Sequence, residues 1–343
     1  MNKESYKKKN ILSYDPKELS EIVSGFGEKA FRARQVFGWV TKGIESFEQM
    51  TNVPAKLISS LDQVYYTGLP DIITEQRDKD GTIKCLYEFP DLTRVESVFM
   101  RYKYGNSICI SSQAGCRMGC SFCASTLNGL ERNLTAGEMF GEVLKMIKLT
   151  GEDIRHIVIM GMGEPFDNYD EVSKFLRIIH DKAGYGISYR NITVSTCGLI
   201  PAIKCFAKDF PQVNLAVSLH APNNNTRRKL MPIASSYQYN ELIDACKEYT
   251  KQTGRRITFE YALIHGVNDS TEDAEELAKH LKGWLAHVNL IPLNKVKEKK
   301  YEGSRSNAVV RFRDILEKNN VPVTVRRTLG SDIDAACGQL RRI

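Results

Sequence analysis

The sequence predicts an α/β fold, a partial (βα)6 barrel with a small helical amino-terminal domain and a short linking β-sheet. Three observations predict it. From Ser107 onward, short apolar runs of strand length alternate with longer amphipathic runs, the pattern of parallel strands joined by crossover helices. Before residue 66 the periodicity is helical. Cysteines, glycines and a glutamate then fall at the carboxyl ends of the strand-length runs, where such barrels carry their chemistry.

The helical domain covers residues 1–65. Pro16 to Ser24 opens behind Asp15 as N-cap, and Ala30 to Gly43 sets Phe31, Val36, Phe37 and Val40 near one face. Pro54 to Val64 supplies a third helix, and Phe31 and Trp39 read as core residues. Residues 66–104 change to extended runs. Asp80-Gly81 signals a two-residue hairpin turn between Ile72–Gln76 and Thr82–Phe89, with Thr93–Tyr102 paired beside them. This reads as a separate small sheet linking the helices to the main domain. Within residues 105–343 the strand runs are Ile108–Ser111, His156–Met160, Asn191–Ser195, Val213–Leu219, Ile257–Leu263 and Val288–Leu293. Ala136–Leu149, Tyr169–His180 and Asn240–Thr253 are helical runs between them, and Pro322–Thr328 would extend one edge. Six units are too few for a closed eight-stranded barrel and suit an open one.

Apolar content of 42% and charged content of 26% suit a soluble globular protein. No run approaches the ~18 apolar residues of a membrane span. The stretch Met1 to Lys9 has no apolar run behind it, so no signal peptide is expected and the expected location is cytoplasmic. Nine cysteines in such a chain point to metal binding or catalysis rather than a disulfide framework. The scattered Cys85, Cys205 and Cys246 read as small buried hydrophobes. The net charge of +7 arises after residue 100, with basic runs at Arg227–Lys229, Lys295–Lys300, Arg326-Arg327 and Arg341-Arg342. Such runs suit a polyanionic partner, solvated surface charge being the other reading.

Cys116, Cys120 and Cys123 form a C-x3-C-x2-C loop. A structural zinc site takes four protein ligands, and the nearest further candidates are Cys109 or a distant histidine. A 4Fe–4S cluster also normally takes four cysteines, so three thiolates leave one iron open to a small molecule. Downstream, Gly161-Met-Gly163-Glu164 joins a backbone able to approach a ligand closely with a carboxylate able to receive an ammonium.

The loop and this segment resemble those of the radical S-adenosylmethionine (SAM) enzymes. Further segments match in order: Ser111 to Cys116, Arg132 to Thr135, Met160 to Pro165, Ser218 to Pro222, Leu230 to Ile233, Gly266 to Asp269 and Asp332 to Leu340. Together they resemble the RlmN/Cfr family of radical SAM RNA adenine methyltransferases over nearly the whole chain. The resemblance implies a 4Fe–4S cluster on Cys116, Cys120 and Cys123. It also implies SAM contacts at Gly163, Glu164, Ser195, Ser218, Leu219, His220 and Asn294, with two SAM used per turnover. It makes Cys337 the carrier of a methyl group as S-methylcysteine. Cys109 becomes the partner that assists proton removal and closes a transient disulfide, and Glu96 the proton acceptor near the substrate base.

The run Cys123 to Leu130 and the stretch Ile291-Pro-Leu-Asn294 resemble the RlmN branch, which methylates adenine carbon 2, rather than the Cfr branch, which methylates carbon 8 and gives antibiotic resistance. Lys295 departs from the family's usual proline after the asparagine. The implied partners are 23S rRNA in its peptidyl-transferase region, adenosine 37 of tRNA, and an electron donor such as flavodoxin or ferredoxin. The helical domain is expected to hold the RNA and to be separable from cluster binding. Two competing readings remain: a non-catalytic iron–sulfur RNA-binding or electron-transfer protein, and a radical SAM enzyme acting on a protein or small molecule. Neither needs the Cys109/Cys337 pair.

Overall fold

The computed structural model of the chain describes residues 8–327 and 329–341. Met1–Lys7 of the basic amino terminus, Thr328 of the edge run and Arg342 of the last basic pair lie outside them.

Strand β1 (Lys9–Asn10) leads into α1 (Pro16–Gly25), α2 (Arg32–Val40) and α3 (Ala55–Val64), and β2 (Tyr65–Tyr66) returns to pair with β1 in parallel. Asp15 starts α1 with a capping box: its carboxylate accepts the Lys17 and Glu18 N–H groups, and Glu18 accepts that of Asp15. Leu19, Val23, Val36, Phe37, Leu57 and Leu61 form the buried side of these helices. Phe31 is not in the core; it is 53% exposed, because α2 starts at Arg32 and Phe31 occupies its N-cap. Trp39 is half-buried and donates its indole N–H to Asn52 at 2.7 Å. The helices are not self-contained, since Ile11, Leu12, Leu19 and Val36 share one continuous core with Phe140 and Val143.

Strands β3 (Asp71–Arg77), β4 (Ile83–Glu88) and β5 (Arg94–Met100) form the expected meander, with two differences. The Asp78 N–H bonds the Thr82 carbonyl at 2.9 Å, so the turn is a three-residue loop with Gly81 left-handed at φ 86°. The meander is also not a separate sheet. β5 is buried from Val95 to Met100, and its free edge pairs antiparallel with the first barrel strand, β6 (Ser107–Ile110), in the register Val98↔Cys109.

A two-stranded pair, β7 (Gln113–Gly115) and β8 (Leu130–Asn133), brackets the cysteine loop. Then come α4 (Ala136–Thr150), β9 (His156–Ile159), α5 (Tyr169–His180), β10 (Ile192–Thr196), α6 (Ile200–Asp209) and β11 (Asn214–Ser218). They are followed by α7 (Asn224–Leu230), α8 (Tyr239–Thr253), β12 (Ile257–Leu263), α9 (Thr271–Leu281), β13 (Ala286–Pro292), α10 (Ser306–Lys318) and β14 (Val323–Val325). The ten-stranded sheet runs β14-β13-β12-β11-β10-β9-β6-β5-β4-β3, all parallel from β6 to β14. Six β–α units are therefore present, with β14 extending one edge. Ile157, Ile159, Val194, Leu215, Val217, Phe259 and Tyr261 are fully buried, as strands covered on both faces require. Among the described residues no helix is long and apolar enough to cross a membrane.

Candidate active site

The cysteine loop is held from several sides. The Cys116 N–H bonds the Gly129 carbonyl at 3.1 Å, and the Ser121 N–H bonds the Leu230 carbonyl at 2.9 Å. Thr126 donates its hydroxyl to the carbonyls of Cys120 and Cys123 at 3.2 and 2.9 Å. Phe122, between the second and third cysteines, meets the His220 ring edge-on at 4.9 Å and packs with Leu230, Met231 and Ile264. The three cysteines line one cavity of about 150 Å³, together with Glu164, Ser195, Ser218, His220 and Asn294. A structural zinc takes four protein ligands, and among the described residues no histidine, aspartate or further cysteine joins the three cysteines in a metal-binding group. Three thiols spaced around a shared cavity instead fit a polynuclear cluster with one iron left open. Burial pushes the Cys116 thiol up to about 12 and raises Cys123 as well.

The opposite wall is backbone and one carboxylate. A Cβ on Gly161 would lie 2.6 Å from the Ile110 carbonyl oxygen, and one on Gly163 would lie 2.6 Å from Gln113 Cβ. Gly163 is also left-handed, at φ 102°. The Glu164 carboxylate accepts the Phe166 and Cys197 N–H groups at 3.0 and 2.7 Å, while its own N–H bonds Gln113 at 2.8 Å. Burial raises its pKa against those hydrogen bonds, a cost that an ammonium bound beside it would offset. His220 takes a left-handed backbone, φ 54°, and its Nδ1 accepts the Ala262 N–H at 2.9 Å. Burial, with the Arg227 charge second, pushes its pKa down to about 3. The neutral ring therefore carries its proton on Nε2 and is a hydrogen-bond donor there.

The carboxyl-terminal segment closes this cavity. Cys337, Gly338 and Leu340 line it beside the cluster cysteines. Ala124 donates its N–H to the Gly338 carbonyl at 2.8 Å, and Ser125 its hydroxyl to that of Leu340 at 2.9 Å. The N–H groups of Gly330 and Asp332 bond Asp80 and Asp78 of the β3–β4 turn at 3.0 and 3.1 Å. Cys337 also lines a second, adjoining cavity with Cys109, Tyr102, Asn294 and Arg326. Cys109 is buried, which pushes its thiol up to about 12. Arg326 is held above its ordinary value first by Cys337, against the cost of burial, and lies 4.0 Å from Glu260.

Most of the expected residues line one of these two cavities, and Glu96 and Leu219 line neither. Glu96 pairs with buried Lys84 at 3.1 Å and accepts the Arg341 N–H at 2.7 Å, which ties β5 to the segment that carries Cys337. Leu219 lies in the core, its N–H bound to the Glu260 carbonyl at 3.0 Å. Arg227 is no surface cation: it is fully buried, bonded to the Cys197 and Ser218 carbonyls behind the cavity wall. Of the scattered cysteines, Cys85 and Cys246 are buried but Cys205 is exposed, on the outer side of α6. Gln113, Lys84, Glu260 and Arg326 were not singled out as site residues from the sequence. No local pattern marks them, because each takes its partner from another strand or loop that only the fold brings near.

Comparison with known proteins matches residues 110–281 to the radical SAM superfamily, and residues 9–66 to the ribosomal RNA large subunit methyltransferase N-terminal domain. A probable dual-specificity RNA methyltransferase RlmN of Clostridium perfringens (strain 13 / Type A) is 52% identical over 336 residues, 97% of each chain. Another of that name from Desulforamulus reducens is 51% identical, covering 98% of this chain and 96% of the relative. The crystal structure of a radical SAM methyltransferase from Sphaerobacter thermophilus superposes with a TM-score of 0.94 at 43% identity, over 98% of this chain and all of that one.

Proposed function

The chain belongs to the RlmN family of radical SAM RNA methyltransferases, and on that premise we propose that it methylates carbon 2 of adenosine in the peptidyl-transferase region of 23S rRNA and in tRNA at position 37. The observation that carries the proposal is that Cys337 lines both the cavity of the cluster cysteines and the cavity of Cys109. A protein-bound methyl on that sulfur faces the radical source on one side and a substrate base on the other. Neither competing reading gives the two thiols this arrangement.

When bound, the 4Fe–4S cluster and SAM supply one electron and a 5′-deoxyadenosyl radical, while a second SAM supplies the methyl group. The chain's residues do the rest. Cys116, Cys120 and Cys123 hold the cluster; Glu164 receives the SAM ammonium; Ser195, Ser218, His220 and Asn294 orient its ribose and adenine edges. Cys337 accepts the methyl as a thiolate, because an adenine ring carbon is a poor nucleophile and a thiolate a good one. After the S-methyl carbon has lost a hydrogen atom and bonded the base, Cys109 assists proton removal from the adduct. Its thiolate then bonds the Cys337 sulfur as the S–CH2 bond breaks, and the freed carbon takes up a proton to become the methyl group. The unpaired electron would return to the oxidised cluster, and flavodoxin or ferredoxin fits as the donor that reduces the cluster. Glu96 acts as a positioning residue for the Cys337 segment. Carbon 2 is preferred over carbon 8 because the Cys123–Leu130 run and the relatives' names are those of the RlmN branch.

Cys109→Ala tests this directly. With SAM, reductant and unmodified RNA it should accumulate an RNA–protein adduct visible on a denaturing gel, and Cys337→Ala should abolish the adduct. Free methylated RNA released from either variant at the parent's rate would contradict the two-cysteine route.

A further inference from the structure

A second opening reaches the same chemistry through the gap in the barrel. The sheet does not close, and a groove of about 820 Å³ runs from the β5–β6 connection to the edge strand β14, across the amino-terminal ends of β9 to β12. Its rim is cationic. Arg190 precedes β10, Arg255 and Arg256 precede β12, and Arg327 follows β14. Glu260 is the one carboxylate lining the groove among the described residues, and it is buried, with one oxygen bonded to Asn289 at 3.0 Å. Like charges gathered around one mouth repel one another unless a polyanion neutralises them.

The mouth also carries an aromatic step. Tyr104 is 63% exposed and lies flat on Tyr102, ring centres 4.9 Å apart and planes 9° from parallel. An outward-facing ring beside arginines is the arrangement that holds single-stranded nucleic acid, by base stacking and phosphate contact together. The groove is continuous with the reaction site. Tyr102, Met160, Arg326 and Arg327 line both it and the cavity of Cys109 and Cys337.

We propose that this groove holds the single-stranded RNA flanking the target adenosine, resting on the RNA methyltransferase reading above. A neighbouring base stacks on Tyr104, and the exposed Arg190 and Arg256 take the phosphates on either side, with Arg255 held behind them by Asn214. The target base, drawn out of its stack, passes Tyr102 and Arg327 to reach Cys109 and Cys337.

Equilibrium binding of a fluorescent, unmethylated 23S rRNA hairpin to the anaerobic holoenzyme, over a range of salt concentrations, tests it. Tyr104→Ala should loosen binding about tenfold with little change in salt dependence. Arg190→Ser/Arg256→Ser should flatten the slope of log K against log salt by about 0.7 per arginine. In turnover both should raise KM for RNA more than they lower kcat. Arg311→Ser, on α10 away from the groove, is the control and should match the parent. Groove variants that bind like Arg311→Ser, or an Arg311→Ser that weakens binding equally, would overturn the groove while leaving the methyltransferase reading intact. A parent that neither binds nor methylates the hairpin would overturn both.

Discussion

Lys84 and Glu96 face each other across β4 and β5, each with a side chain under a tenth exposed, and that burial decides what either can do. A buried ion pair contributes little net stability while intact but is costly to break on one side. Glu96→Gln should therefore destabilise the protein by about 3 kcal/mol in denaturant titration. It should also speed hydrogen exchange of the Arg341 amide, whereas Lys84→Met/Glu96→Leu should recover most of the stability. A surface carboxylate with a free oxygen would show neither effect. His220 supplies the pH-dependent case. Its pKa is about 3 in the folded chain against an ordinary 6.5, so between those values the unfolded chain holds a proton that the native state lacks. Stability then falls as pH falls through that window, by up to about 1.4 kcal/mol per pH unit, and is unaffected above it. His220→Asn, which tolerates the left-handed backbone, should shrink the stability difference between pH 7 and pH 5 relative to the parent. At this scale the sequence was legible only through its motifs. Cys337 and Glu164 stood out by their neighbours, whereas Lys84 and Arg326 take their roles from residues 11 to 66 positions away that only the fold brings near.

Among the elements, the strand ends do the positioning. Gly161 and Gly163 close the end of β9 against β6 and β7 with no room for a side chain. Gly163→Ala adds both a clash with Gln113 and a strained backbone, and should weaken SAM binding by roughly tenfold or more. Cluster content, read from iron and sulfide analysis, should stay near that of the parent, because the cysteine loop is held by the Gly129 carbonyl, α7 and the Phe122 contact with His220 instead. Parent-like SAM affinity would show that the glycines serve only the turn. Element positions were largely legible, since α5 and β12 match their expected ranges of Tyr169–His180 and Ile257–Leu263. What periodicity could not show was the β7–β8 bracket, too short to carry a pattern, or the pairing of β5 with β6, because no local signal specifies the partner of a free edge.

The whole molecule joins three parts that read separately along the chain. The helical domain shares the core of α4, the meander continues the barrel sheet, and the carboxyl-terminal segment is tied to both the meander turn and the cysteine loop. Residues 1–65 are bonded to α4, through Ser13 to the Gly137 N–H at 3.1 Å and through the Gly43 carbonyl to Lys148 at 3.0 Å, so their removal is expected to disturb the shared core as well as RNA binding. The truncated chain should aggregate or fail to retain its cluster. A soluble, cluster-loaded truncation would show the shared core to be dispensable. The central claim is that this assembly places carbon on adenine carbon 2 by way of Cys337. The most direct test is anaerobic turnover of unmodified 23S rRNA and tRNA with methyl-labelled SAM, followed by nucleoside mass spectrometry against both methyladenosine standards. The account predicts labelled 2-methyladenosine from the parent and none from Cys337→Ala; 8-methyladenosine as the product, or 2-methyladenosine from the variant, would contradict it.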